Sequence, residues 1–111
     1  MKKLTAIFDI GKTNKKLLLF DSDYNVVHEI SDRIPETTDD DGFPCEDLPL
    51  LGKWLEEKWT EISSNAAFNI TAVNFAAYGA SWVHLDKQDQ VVTPLYSYLK
   101  PYPLPLAEHL Y

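Results

Sequence analysis

Asp9, Gly11, Thr13 and Asn14 stand at alternate or adjacent positions in the string Asp9-Ile10-Gly11-Lys12-Thr13-Asn14-Lys15-Lys16. An acid, a glycine, a hydroxyl, an amide and lysines at this spacing suit the holding of a nucleotide phosphate with its magnesium ion. A phosphate is held by backbone N–H groups that point into a concavity, and a glycine lets the chain approach closely. Gly11 supplies that approach. Thr13 has a hydroxyl that can donate to a phosphate oxygen, and a lysine can balance the charge of a transferring phosphoryl group. Magnesium keeps several waters and takes one or two carboxylates, so Asp9 at the end of a strand is placed to hold it through water. The competing reading is a polar hairpin whose Asp and Gly serve turn geometry alone. The string is not a Walker loop, which leads from its strand into a helix and ends in Gly-Lys-Ser/Thr.

The apolar runs on either side must position this turn. Leu4 to Asp9 predicts a strand covered on both faces, and Lys16 to Asp21 a second strand paired with it. Asp21-Ser22-Asp23-Tyr24-Asn25 has turn chemistry, and Val26 to Ser31 predicts a third strand, completing an antiparallel meander. Arg33 to Pro49 is expected to be a loop, and its run Asp39-Asp40-Asp41-Gly42 a solvated one. Glu46 to Asn65 predicts a helix. Its apolar stripe is Leu48, Leu51, Leu55, Trp59 and Ile62, with Glu46, Asp47 and Pro49 suited to its start. Trp54 and Trp59 are expected to pack in the core or on its flank. Ile70 to Tyr78 predicts a strand with small residues Ala72, Ala76 and Ala77 that permit close packing. Gly79-Ala80-Ser81 interrupts it. Trp82 to Leu85 and the run from Val91 to Pro94 predict a hairpin around Asp86-Lys87-Gln88-Asp89-Gln90. The proline-rich tail from Lys100 to Pro105 suits neither helix nor central strand, and Leu106 to Tyr111 suits the start of a helix. The predicted order β-β-β-α-β followed by a β-hairpin is an α/β layout with a mixed sheet.

A chain of 111 residues is one domain or less. Its 45% hydrophobic and 13% aromatic content is that of a globular protein and not a disordered one. The formal charge of -7, from 17 acids against 10 Lys plus Arg, argues against a broad nucleic-acid footprint. Cys45 is the single cysteine, which fits a reducing compartment. No apolar run reaches the ~18 residues that span a membrane, and the apolar stretch after Met1-Lys2-Lys3 is too short for a signal peptide. The expectation is a cytoplasmic protein.

The start, with Asp9-Ile10-Gly11-Lys12-Thr13-Asn14 and Lys16, resembles the first phosphate motif of the actin-like, ribonuclease-H-fold ATPases, a superfamily that includes sugar kinases, actin and the Hsp70 chaperones. It is most similar to the FGGY-type carbohydrate kinases, many of which carry Arg or Lys where Lys16 stands. The stretch Tyr78-Gly79-Ala80-Ser81-Trp82-Val83-His84-Leu85-Asp86, with Val91-Val92-Thr93-Pro94-Leu95-Tyr96 after a polar turn, is similar to the sugar-side hairpin of rhamnulokinases and fuculokinases. Ser81 stands where that type has an Asp facing the sugar, Tyr96 to Lys100 lacks the acid found there, and Lys12 replaces a small or hydroxyl residue.

The resemblance implies a ribonuclease-H-like mixed sheet, incomplete, with residues 1–111 as the N-terminal portion of the first actin-like domain of a sugar kinase. It implies ATP and Mg2+ as cofactors, bound through Asp9, Gly11, Lys12, Thr13, Asn14 and Lys16, with Asp9 on the magnesium through water. Tyr78, Gly79, Ser81 and Trp82 would bind the sugar. The catalytic general base is expected downstream of these residues. The expected partners are a small-molecule sugar and a second copy of the chain, with no nucleic acid and no membrane. Two other readings stay open: a non-catalytic or chaperone-like nucleotide-binding domain of the same superfamily, and a free-standing acidic binding module.

Overall fold

The computed structural model describes residues 1–101. The expectation of a helix from Leu106 lies outside the described residues, as does the tail beyond Pro101. The described chain divides into two units: one holds Met1–Pro35 and Asp47–Gly79, the other Glu36–Glu46 and the chain from Ala80 onward.

The first unit is a four-stranded sheet with one helix. Strands β1 (Lys3–Ile10), β2 (Lys15–Phe20) and β3 (Val26–Asp32) form the expected antiparallel meander. Asp21 closes the second turn, its Oδ1 accepting from the backbone N–H of Asp23 at 2.9 Å and of Asn25 at 3.0 Å. After the excursion through the second unit comes helix α1 (Leu48–Ser63), and then β6 (Asn69–Ala77), which pairs parallel to β1. The sheet order β3-β2-β1-β6 is therefore mixed. A parallel pair needs a crossover, and α1 provides it. Asp47 caps the helix, accepting from the Leu50 N–H at 3.1 Å, and a proline occupies the first turn where no N–H is needed.

One face of the sheet is the core. Leu4, Ala6 and Phe8 from β1 and Leu17 and Leu19 from β2 meet Trp54 and Ile62 of α1. Each fully buried aliphatic side chain contributes on the order of 1.5–3 kcal/mol. The Phe8 ring stands edge-on to Trp54, with centroids 6.1 Å apart, and stacks on Phe75 at 5.2 Å. The Trp54 indole N–H, which burial would leave costly if unpaired, donates to Asp32 Oδ2 at 2.9 Å.

Four expectations are corrected. β1 is covered fully on one face only, because burial alternates along it and a single helix among the described residues packs on that side. The helix stripe runs through Trp54 in place of Trp59, which is 39% exposed. β6 is exposed from Thr71 to Ala77, its alanines included, and Val73 and Phe75 are 40% and 58% exposed. The acidic run is not simply solvated, as the second unit makes plain.

In that unit β4 (Thr37–Thr38) pairs with β5 (Pro44–Cys45) around the acidic turn. The Asp39 side chain is fully buried. Its Oδ1 accepts from the N–H of Asp41 at 2.8 Å and of Phe43 at 3.0 Å. Lys100 Nζ lies 2.8 Å from both Asp39 Oδ2 and Asp41 Oδ2, and 4.6 Å from the Tyr96 ring centre. Gly42 at φ 78 permits the turn. The predicted hairpin after Trp82 is present only as a tight turn with one bridge, Leu85 to Val91. Asp86 Oδ1 organises it by accepting from Gln88 N at 2.8 Å and Gln90 N at 3.0 Å.

Candidate functional site

The β1–β2 connection is short because its ends are tied. The Gly11 N–H donates to the Asn14 carbonyl at 3.0 Å, closing residues 11–14 into a turn. A Cβ on Gly11 would lie 2.8 Å from that same carbonyl oxygen, so only glycine fits. Thr13 and Asn14 are exposed at the tip, while Gly11 and Lys12 are half-buried.

Asp9 and Lys16 lie directly opposite each other in the antiparallel register. Opposed residues in such a pair project from the same face, with Cβ atoms about 4.5–5.5 Å apart. That face is the one opposite the core, since Phe8 and Leu17 point into it. A carboxylate and an ammonium thus flank the base of the turn, at the carboxyl end of β1. Asp9 has the hard oxygen donors that magnesium prefers and enough exposure to share the ion with water, so its position fits an outer role on that metal. Lys16 Nζ is 3.9 Å from Glu29 Oε1, an exposed and weak pairing.

β6 runs parallel to β1, so its carboxyl end arrives at the same edge of the sheet. The Tyr78 N–H donates to the Ile10 carbonyl at 3.2 Å, which fixes the chain after β6 beside the turn. In open α/β sheets ligands bind at the carboxyl ends of parallel strands. The first unit therefore gathers Asp9, Gly11, Lys12, Thr13, Asn14, Lys16, Tyr78 and Gly79 at one sheet edge. Gly79 itself has open space where a Cβ would stand. Ser81 and Trp82 belong to the second unit. The Ser81 hydroxyl is buried with no hydrogen-bond partner among the described residues, and Trp82 is 64% exposed, so the indole is no core residue.

Lys15 was not among the expected site residues. It is 1% exposed, and its ammonium donates to the carbonyls of Gly11 at 2.8 Å and Lys12 at 3.2 Å. The sequence held a signal for this. Lys15, Leu17 and Leu19 alternate, and a period of two places all three on the buried face. The acidic triplet Asp39, Asp40 and Asp41 brings carboxylates close together, but the Lys100 ammonium already sits against two of them.

Comparison with solved structures places this fold. A carbohydrate kinase from Novosphingobium aromaticivorans matches 98% of the chain with a TM-score of 0.79 at 21% identity. The ligand-bound xylulose kinase from Lactobacillus acidophilus matches 83% with a TM-score of 0.70 at 23% identity. Gluconate kinase from the same organism matches 85% with a TM-score of 0.67 at 23% identity. The chain has the fold found in these carbohydrate kinases, and at such identities the likeness is one of fold. It spans about a fifth of their length: 22%, 19% and 19% respectively. No protein-family model matches the sequence, and no curated protein does. Among the described residues no helix is long and apolar enough to cross a membrane.

Proposed function

We propose that the chain is the N-terminal portion of the first actin-like domain of a sugar kinase, with its mixed sheet forming the opening of a ribonuclease-H-like sheet. The parent protein would transfer the γ-phosphoryl group of ATP to a sugar hydroxyl. The observation that carries this reading is the closed Gly11–Asn14 turn with Asp9 opposite Lys16, at the edge where β1 and β6 both end. The carbohydrate-kinase fold supports it.

In this reading the backbone N–H groups of Lys12 and Thr13 and the Thr13 hydroxyl receive phosphate oxygens, and Lys16 offsets their charge. Asp9 holds magnesium through water, and the ion when bound neutralises phosphate charge. Trp82 offers an aromatic face to the apolar side of a sugar ring, and the Ser81 hydroxyl, buried with no partner among the described residues, is suited to a sugar hydroxyl. Such catalysis rests on positioning and charge stabilisation, with the general base supplied from residues outside this chain.

The test is incubation of the full-length protein with Mg·ATP and a panel of pentoses, hexoses and sugar acids. A sugar phosphate that forms with the wild type and is lost in Asp9→Asn supports the reading. Nucleotide binding with no transfer to any sugar would turn it towards a non-catalytic nucleotide-binding domain. Absence of both would overturn it.

A further inference from the structure

We propose that Lys15 is a positioning residue which holds the β1–β2 turn in its anion-receiving shape from beneath, an inference that rests on the phosphate reading of that turn. A lysine is seldom buried, because its ammonium loses hydration that only good partners replace. Lys15 is buried on the core face of β2 in line with Leu17 and Leu19. Its Nζ donates to two successive carbonyls, those of Gly11 at 2.8 Å and Lys12 at 3.2 Å. No peptide bond in the described chain is cis. In a planar trans peptide the C=O and the N–H that follows it point in opposite directions. Drawing the Gly11 carbonyl towards the buried ammonium therefore turns the Lys12 N–H the other way. Drawing in the Lys12 carbonyl does the same to the Thr13 N–H. Successive N–H groups turned to one side are the ingredients of an anion-binding concavity. The ammonium adds a fixed positive charge behind them, in surroundings that screen it less than water does. Lys12, Lys15 and Lys16 thus separate into distinct parts: Lys16 is paired opposite Asp9 on the other face, Lys12 lends its carbonyl, and Lys15 orients the backbone.

The experiment measures binding of Mg·ATP and of inorganic triphosphate to the full-length protein, following the Thr13 amide by NMR, in wild type, Lys15→Met and Lys15→Arg. Lys15→Met removes a buried charge and keeps an apolar stem of similar length. The expected result is triphosphate affinity weakened by about tenfold or more in the folded variant, alongside a midpoint lowered by the stranded Gly11 and Lys12 carbonyls. The Thr13 amide should also move less on titration. A lysine that served stability alone would show a lowered midpoint with unchanged affinity, and that result would overturn the proposal while leaving the phosphate reading intact. Should Lys15→Met not fold, Lys15→Arg decides, since a planar guanidinium keeps the charge but not the geometry. Weakened binding in a folded Lys15→Arg supports the proposal, and unchanged binding overturns it. A wild type whose Thr13 amide is unmoved by millimolar triphosphate removes the phosphate reading, and this inference falls with it.

Discussion

The backbone N–H of Tyr78 donates to the Ile10 carbonyl at 3.2 Å, so the first residue after β6 is pinned to the last residue of β1. Residues nearly seventy positions apart in sequence thereby share one sheet edge, and the turn that follows Ile10 has a fixed neighbour. Backbone bonding achieves this without any particular side chain at position 78. Substitution of Tyr78 would then leave the turn in place, and any effect on activity would report on the ring.

Gly11→Ala places a methyl group 2.8 Å from the Asn14 carbonyl oxygen, a backbone atom with little room to retreat. The expected cost is about 1–3 kcal/mol, as for other overpacked sites, with loss of nucleotide binding. Gly79→Ala is the control, because open space surrounds its Cβ position. It should stay within about 0.5 kcal/mol of wild type. Denaturant unfolding of the two variants side by side checks the contrast.

Lys16→Ala should separate binding from stability. The Lys16–Glu29 pair is long, at 3.9 Å, and exposed, so its removal should cost no more than about 1 kcal/mol. If Lys16 offsets phosphate charge, nucleotide affinity should fall by about tenfold or more. A titration showing wild-type affinity would remove Lys16 from the site.

Trp54 anchors helix to sheet by its ring and its N–H together. Asp32→Ala strands the indole donor and should destabilise by about 1–3 kcal/mol. Asp32→Asn, which keeps an acceptor, should cost less. Trp54→Ala should cost about 3–5 kcal/mol. Thermal unfolding monitored by tryptophan fluorescence ranks the two Asp32 variants, and circular dichroism serves for Trp54→Ala. Equal effects of Asp32→Ala and Asp32→Asn would show that the hydrogen bond is not what matters.

The buried Asp39 carboxyl is pushed up by its burial, but the Lys100 ammonium and the N–H groups of Asp41 and Phe43 outweigh this and hold it below its ordinary 3.8. Lys100 is held above its ordinary value, first by Asp39 and then by Asp41. The carboxylate's contribution is present above pH 3.8 and lost as pH falls through the lowered value. The lysine's contribution is full below its ordinary 10.5 and lost only as pH rises through its raised value. The second unit should therefore keep its order across neutral pH and loosen in acid. Protection against exchange of the Phe43 amide, which donates to Asp39, should fall below that limit in wild type. In Asp39→Ala it should already be low at neutral pH. An amide indifferent to both changes counts against the clamp.

Local chemistry was legible wherever a residue's own neighbours decide its state. The meander, the Asp21 turn, the Asp47 cap and Pro49 in the first helical turn follow from alternation, turn-forming side chains and orphan N–H groups, all within a few residues. The polar turn at Gly11 was visible for the same reason. Long-range packing settled the rest. Trp54 is buried with its indole donating to Asp32, 22 residues earlier, while Trp59 on the same helix stays 39% exposed. Asp39 left solvent for burial because Lys100, 61 residues later, supplies a compensating charge. Lys15 could enter the apolar face because the folded turn presents two carbonyls to its ammonium. A buried polar group is stable only with its partner in place, and a partner far along the chain is supplied by the fold.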